Sequence, residues 1–190
     1  MSMAGIVFVG SLVVLFLYVV VIYNRLVNLK HDTAKAWSNI DVLLKQRHDE
    51  LPKLVETCKQ YMRHERETLE RVMLARAKVF SASEKGNVGA LGAAEGQLRQ
   101  GLMTLFANAE AYPELKADLS FRNLEDRISG LENAIADRRE YYNEVVNNNN
   151  IRLEEFPDII VARLFAFKPF ELLEFSEDEK ADVDVKALFG

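Results

Sequence analysis

The chain has 190 residues, of which 24 are basic and 29 are acidic, so its formal net charge is −5. That length suits one domain with an anchor, and the acidic balance, without a basic stripe interleaved with aromatic residues, argues against nucleic acid as a partner. The single cysteine, Cys58, excludes an intrachain disulfide and a cysteine-rich zinc site.

An apolar stretch without any charged residue lies near the start of the chain. Residues 5–23 have the sequence GIVFVGSLVVLFLYVVVIY, and a helix of that length crosses a hydrocarbon core of about 30 Å. We therefore predict an N-terminal anchor over residues 1–23 that contains one transmembrane helix. The residues assigned to the span include Gly5, Ile6, Val7, Phe8, Val9, Leu15, Phe16, Ile22 and Tyr23.

The flanks of this stretch indicate its orientation and argue against a cleaved signal peptide. Residues 1–4 contain no Lys or Arg, and the stretch ends in VIYN rather than in small residues. Arg25, Lys30 and Lys35 follow it closely, so the positive-inside rule places the rest of the chain in the cytoplasm. A periplasmic or extracellular domain is the alternative, which these three basic residues disfavour.

One long amphipathic helix is predicted to leave the anchor, from Tyr23 to Phe80. Its apolar residues keep to one face, because they fall three, four or seven positions apart or at multiples of these spacings. Pro52 interrupts the pattern and is expected to bend the helix rather than to end it. The apolar face contains Trp37, Ile40, Leu44, Leu51, Leu54, Cys58, Tyr61 and Val72.

A second helix is predicted after a flexible connection. Residues 81–96 concentrate Gly, Ser and Ala with little periodicity, which indicates the connection, with helix regained near its end. Apolar residues then recur at helical spacing from Ala90 to Tyr112, and Pro113 is expected to stop this second helix.

A third long helix and a short fourth one complete the predicted fold. The third begins at Ser120, as its N-cap, and continues to about Glu155. The fourth extends from Pro157 through Phe165, and residues 171–190 form an acidic tail. No segment alternates as a strand does, so we predict an all-α protein: a transmembrane helix continuing into an elongated antiparallel bundle of three long helices plus a short C-terminal helix.

Motifs for catalysis and metal binding are incomplete. His64 and Glu65 begin like a zinc-protease helix motif, but Thr68 stands where the second histidine would be. The three histidines are expected on the surface. Cys58 lies on the apolar face and is expected to be a buried, unreactive thiol. We therefore expect no metal, no cofactor and no enzymatic activity.

The long helices carry more apolar surface than one bundle of this size hides, so self-association is expected. Candidate interface residues are Trp37, Ile40, Leu43, Leu44, Tyr141 and Tyr142. Packing within the protein's own core is the alternative for the tryptophan and for the tyrosine pair.

Several segments resemble the LemA family of bacterial membrane proteins in order and spacing. They are YNRLV at 23–27, AWSNIDV at 36–42, LPKLVET at 51–57, EAYPELKA at 110–117, REYYN at 139–143 and FP at 156–157. The resemblance implies a single-pass protein of the bacterial inner membrane, a cytoplasmic helical domain over residues 24–170 and no known enzymatic activity. Leu43, where a polar residue is expected, and the four asparagines at 147–150 depart from the family pattern.

Two function classes follow, with an enzyme as a third. The first is a non-enzymatic scaffold or adaptor that binds copies of itself or another membrane protein. Because family members are often encoded near an HtpX-like membrane zinc metallopeptidase, the resemblance implies such a peptidase as a partner beside membrane lipid. The alternative is a membrane-shaping lattice protein, since relatives occur in magnetosome membrane formation.

Overall fold

The structure is a computed structural model that describes residues 3–175. These residues form six helices and no strand, which confirms the all-α prediction. The helices are α1 (Met3–Tyr61), α2 (Arg66–Glu84), α3 (Val88–Ala109), α4 (Pro113–Ala117), α5 (Leu119–Glu154) and α6 (Asp158–Leu164).

The first amphipathic helix ends earlier than the sequence pattern indicates. The prediction of one helix as far as Phe80 is wrong, because α1 ends at Tyr61 and α2 begins at Arg66. Met62 is fully buried in the intervening corner, where the N–H of Glu65 donates to the Met62 carbonyl at 3.2 Å. Apolar residues on both sides of the corner keep their helical spacing, so the pattern alone does not reveal it. Pro52, as predicted, lies inside α1 without ending it.

The predicted flexible connection over residues 81–96 is wrong for most of its length. Only residues 85–87 separate α2 from α3. Gly86 adopts a left-handed conformation with φ of 62°, which glycine tolerates because it has no Cβ. Asn87 caps α3, since its side-chain oxygen accepts a hydrogen bond from the N–H of Ala90 at 2.9 Å.

Two glycines of α3, Gly92 and Gly101, permit close packing. A Cβ at Gly92 would lie 1.9 Å from the carbonyl oxygen of Glu174, and one at Gly101 would lie 3.3 Å from the Val72 side chain. The short residues of this segment therefore let α2 and the segment around Glu174 approach the helix backbone.

The start of α5 is capped by a different residue from the one predicted. Asp118, not Ser120, accepts the backbone N–H groups of Ser120 at 2.7 Å and Phe121 at 3.3 Å. The Tyr61 hydroxyl donates to the same carboxylate at 3.0 Å. Pro113 opens α4 instead of merely stopping the preceding helix.

The C-terminal part follows the prediction closely. The helix α6 lies within the predicted fourth helix and follows a cis peptide bond between Phe156 and Pro157. Of the predicted acidic tail, residues 171–175 are described, and Leu173 and Phe175 are buried. The remainder of the tail lies outside the described residues.

The described residues divide into two compact units. The first unit contains residues 3–38 and 140–172, and the second contains residues 39–139 and 173–175. A cluster of Ile22, Leu26, Val161 and Ala162 forms a core in the first unit. Fully buried residues of the second unit include Leu51, Leu54, Met62, Leu91, Leu98, Leu102, Leu105 and Phe121. The division into an anchor, a domain over residues 24–170 and a tail stays a prediction.

Candidate membrane and protein-binding surfaces

The predicted membrane span lies wholly within α1. Of its assigned residues, Ile22 is buried and Gly5 is half-buried, whereas the others are exposed. The first part of α1 is long and apolar enough to cross a bilayer and is almost unburied. Such a large exposed apolar surface is compatible with membrane anchoring.

Aromatic side chains surround the end of the predicted span in the first unit. The ring of Tyr23 lies 4.7 Å from that of Phe165 and 5.9 Å from that of Phe167, measured between ring centroids. Beside them is a cavity of about 580 Å³ that Lys30 and Lys168 also line. The end of the span is therefore part of a packed aromatic site with two cations at its edge.

Trp37 packs within the first unit. Its ring lies 5.4 Å from that of Tyr142, and the Tyr142 hydroxyl donates a hydrogen bond to the Glu171 carbonyl at 3.0 Å. Burial raises the pKa of Tyr142 above its ordinary value. Tyr142 thus belongs to the core of this unit, whereas the adjacent Tyr141 is exposed.

The run of asparagines has a structural role that its poor helix propensity does not suggest. Asn149 is buried. The Asn150 side chain hydrogen-bonds to both the backbone N–H and the carbonyl of Phe170. The Asn150 amide donates to the Phe170 carbonyl at 2.9 Å, and its side-chain oxygen accepts the Phe170 N–H at 3.0 Å. These bonds tie the segment after α6 to α5.

The remaining interface candidates lie in the second unit. Ile40 and Leu44 are buried, whereas Leu43 is half-buried. Together with the burial of Tyr142, this leaves Leu43, Tyr141 and part of Trp37 as surface available to a partner. Their role in an interface stays a prediction.

A buried ion cluster in the second unit was missed by sequence reasoning. The Arg47 guanidinium hydrogen-bonds to the carboxylates of Glu95 and Glu132, and the Arg47 and Glu95 side chains are only 1% and 2% exposed. Burial raises the pKa of Glu95. Burial opposes the positive charge of Arg47 too, but the two carboxylates outweigh it and raise the Arg47 pKa.

A signal for this cluster is present in the sequence. Arg47 lies three residues after Leu44 and four before Leu51, and Glu95 lies four after Leu91, so each charge falls on the apolar face of its helix. Two opposite charges on two apolar faces predict a buried pair. Because Arg47 is bound to both carboxylates, the cluster holds helices together and presents no free nucleophile or base.

A second cluster of interacting side chains includes His48. This histidine was predicted on the surface but is half-buried. Its ring stacks on Phe80 with centroids 4.5 Å apart. Arg76 donates to the His48 carbonyl at 2.8 Å, and a second Arg76 nitrogen lies 2.6 Å from Nε2. Burial, and then the Arg76 cation, lower the pKa of His48.

The single thiol is placed as the sequence predicts. Cys58 is fully buried, and burial, with a smaller contribution from Glu125, raises its pKa to about 12. A thiol with that pKa is almost entirely protonated at neutral pH and is a poor nucleophile. Among residues 3–175, no three His, Cys, Asp or Glu side chains come together as metal ligands.

Comparison with known proteins agrees with the resemblance in the sequence. Two relatives from Paramagnetospirillum magneticum, magnetosome proteins MamQ 1 and MamQ 2, are each 24% identical to this chain over 186 residues. Each alignment covers 86% of this chain and 68% of the relative. A family model described as LemA family matches residues 36–187. This match covers well over half of the chain, and the chain therefore belongs to the LemA family.

Proposed function

We propose that this protein is a membrane-anchored, non-enzymatic helical scaffold or adaptor that associates with copies of itself, with a membrane protein complex, or with both. The continuity of α1 carries this proposal. Its uncharged, exposed first part continues as one helix to Tyr61 and contributes residues to both units. No Gly or Pro lies between Gly10 and Pro52, so this part of α1 lacks the residues at which helices usually bend.

The surroundings of Arg47, Cys58 and His48 support a non-enzymatic role. Arg47 is bound by two carboxylates, the pKa of Cys58 is raised, and Arg76 contacts His48. A catalytic site needs a base, acid or nucleophile poised to reach a substrate. In the described part of the chain these groups are committed to packing instead.

The proposed location is the bacterial inner membrane, with both units in the cytoplasm. Arg25, Lys30 and Lys35 follow the apolar stretch closely. Positive residues close to a span favour the cytoplasmic side. A cysteine reagent that does not cross membranes tests this orientation in the variant Lys35→Cys. Position 35 is expected to be labelled only after the cells are opened. Labelling in intact spheroplasts would contradict the cytoplasmic location.

The proposed partners are membrane lipid, further copies of the chain, and an HtpX-like membrane zinc metallopeptidase or another membrane protein. Confinement to one membrane raises the effective concentration of two partners, so weak contacts between helix faces suffice for assembly. Leu43, where the resemblance implies a polar residue, is a partly exposed apolar residue on α1 and is the proposed contact.

A matched pair of variants tests the scaffold proposal. Full-length tagged protein is extracted in mild detergent, and the proteins that co-purify are identified and quantified. The extraction is repeated for Leu43→Gln and for the control Leu74→Gln, which changes an exposed residue on α2. Leu43→Gln is expected to lower the amount of complex severalfold without lowering helicity by circular dichroism. If both variants lowered the amount of complex equally, Leu43 would not be part of the interface.

Trp37→Ala is a less specific probe than Leu43→Gln. Because Trp37 packs on Tyr142, its loss is expected to reduce stability as well as any interface. We expect Trp37→Ala to weaken the complex more than it lowers helicity, and equal losses of both would assign Trp37 to the core alone.

A membrane-shaping lattice is the second candidate function, and the similarity to two magnetosome proteins favours it. On this proposal, copies of the protein crowd side by side and impose curvature on the bilayer. Reconstitution at high protein density is expected to give tubular or segregated lipid vesicles by electron microscopy. Smooth vesicles at the same density would argue for the adaptor instead.

A further inference from the structure

The helix α6 lies at the depth where the predicted span ends. Its residues Val161 and Ala162 share one core cluster with Ile22 and Leu26, and Val19 packs against the same cluster. Val19 lies inside the uncharged stretch, four residues before Tyr23. The packing around α6 therefore extends about one helical turn into that stretch. If the stretch crosses a bilayer, α6 therefore lies against its surface.

The other face of this region is apolar and exposed. Ile160 and Leu164 are four residues apart in α6, which places them on one side of the helix. Phe156, in the turn before α6, and Phe165, directly after it, are also exposed. Phe156 is 81% exposed and Leu164 is 72% exposed. Four large apolar side chains within ten residues are unfavourable in water. The boundary between headgroups and acyl chains accommodates such side chains.

Basic side chains accompany this apolar surface. Arg163 and Lys168 are exposed, and Lys30 and Lys168 line the cavity beside Tyr23. The one acidic residue of positions 156–170 is Asp158, which is buried. Exposed cations next to exposed apolar side chains match the layered chemistry of an anionic membrane surface, with acyl chains below and phosphates above.

We propose that residues 156–170 form a second membrane contact of this protein. Phe156, Ile160, Leu164 and Phe165 enter the headgroup boundary of the bilayer that the span crosses, and Lys30 and Lys168 bind the phosphates of anionic phospholipids beside the aromatic cavity. This inference rests on the membrane anchoring proposed above. The contact holds the first unit against the bilayer surface and so restricts rotation of the unit about the end of the span.

Fluorophores attached at single introduced cysteines test the insertion. Leu164→Cys reports on α6, Val14→Cys on the middle of the span, and Lys35→Cys on α1 about 18 Å beyond Tyr23. The native Cys58 is fully buried and its pKa is raised, so it reacts poorly with the label. The full chain is placed in vesicles of phosphatidylethanolamine and phosphatidylglycerol, and quenching is measured with a lipid-bound quencher and with aqueous iodide.

The three positions separate the outcomes. The label at position 164 is expected to be quenched by the lipid-bound quencher severalfold more than the label at position 35, and to be shielded from iodide. Equal iodide quenching at 164 and 35 overturns the second contact while leaving the anchor intact. If the label at position 14 is itself open to iodide, membrane anchoring fails and the second contact fails with it.

Replacement of the two lysines tests the recognition of anionic lipid. With the label at position 164, Lys30→Gln combined with Lys168→Gln is expected to reduce lipid quenching severalfold, toward the value in neutral phosphatidylcholine vesicles. The control combines Lys78→Gln with Lys85→Gln, which removes the same charge from the second unit, and is expected to change nothing. Equal quenching in anionic and neutral vesicles overturns the phosphate contact.

Discussion

At the scale of single residues, the Arg47 cluster shows how charge stabilises a helical core in one arrangement. A buried ion pair gains little net stability over apolar residues of the same size, because desolvation opposes the attraction. Removing only the cation of such a pair is nevertheless costly, since the carboxylate that it neutralised stays buried. We therefore interpret Arg47, Glu95 and Glu132 as fixing which helix positions face each other.

Arg47→Met is expected to lower the free energy of unfolding by about 3–5 kcal/mol, because it leaves the Glu95 carboxylate buried without the guanidinium that hydrogen-bonds to it. The measurement is urea unfolding of the full chain in detergent, followed by circular dichroism. Adding Glu95→Leu is expected to recover part of the loss. The control Arg71→Met breaks an exposed pair with Glu67 and is expected to cost less than about 1 kcal/mol. Similar losses from Arg47→Met and Arg71→Met would show that the cluster is not critical.

His48 is expected to make stability depend on pH near neutrality. Its pKa is lowered in the folded protein, through burial and Arg76, from the ordinary value of 6.5. The unfolded chain therefore takes up a proton at higher pH than the folded chain does, and stability is lost as the pH falls below that value. Asp49 opposes this shift without reversing it.

The pH dependence is measured as the difference in unfolding free energy between about pH 7.5 and about pH 5.5. Glu95, whose pKa is raised, contributes in the opposite direction, so the expected result is a difference between proteins: as the pH falls over this range, the wild-type protein loses more stability than His48→Gln does. His64→Gln, at an exposed histidine, is the control and should retain the wild-type slope. A steeper loss in His48→Gln than in the wild type would contradict the assigned direction.

At the scale of elements, Gly92 and Gly101 of α3 are packing residues, and the role of Gly92 is directly testable. Gly92→Ala would place a Cβ against the Glu174 carbonyl oxygen, so the buried segment with Leu173 and Phe175 must move. This variant is expected to be destabilised and to exchange amide hydrogens faster at residues 173–175.

Gly130→Ala is the matched control, because nothing lies within 4 Å of the added Cβ. Gly130 is inside α5, where alanine is favoured over glycine by roughly 0.5–1 kcal/mol. The control is therefore expected to stabilise the protein. If Gly92→Ala stabilised it equally, the close approach of residue 174 to α3 would be wrong.

Helices with regular spacing and clear ends were predictable from the sequence, and corners were not. The period of apolar residues gave α5 and α6 within a few residues of their ends. The corner at Met62 has no Gly or Pro, so the sequence pattern continues through it. Residues 81–96 indicate a flexible segment by composition, yet Gly92 among them serves close packing against residue 174, which is distant in the chain.

The candidate surfaces were predictable to a similar extent. The apolar stretch before Arg25 and the burial of Cys58 followed from composition and period. Arg47 was missed because a charged residue is usually exposed, and only a partner from another helix makes burial favourable. The exposed apolar face of α6 was also missed, since its residues have the same spacing as a core-facing set.

At the scale of the whole molecule, α1 links the apolar stretch to both units. Charged substitutions in the stretch test whether it crosses a membrane. Val14→Lys combined with Leu17→Lys costs about 6 kcal/mol of insertion free energy, similar to the total that the apolar residues of such a stretch contribute. Most of the protein is then expected to leave the membrane pellet after carbonate extraction.

The control for this variant adds the same charge beyond the stretch. Asn24→Lys combined with Asn28→Lys places two cations after the uncharged stretch of residues 5–23, where positive charge is tolerated at the cytoplasmic surface. The control is expected to stay in the pellet. Equal release of the two double variants would mean that the stretch does not span the bilayer.

The native mass of the full-length protein, extracted with its surrounding lipid into polymer-bounded discs, tests the scaffold most directly. A single chain has a mass of 21.7 kDa. We expect an assembly of several chains, or of this chain with another membrane protein, and we expect Leu43→Gln to shift it toward the mass of one chain. A single chain with lipid alone, at every expression level tested, would contradict a scaffold that works by association.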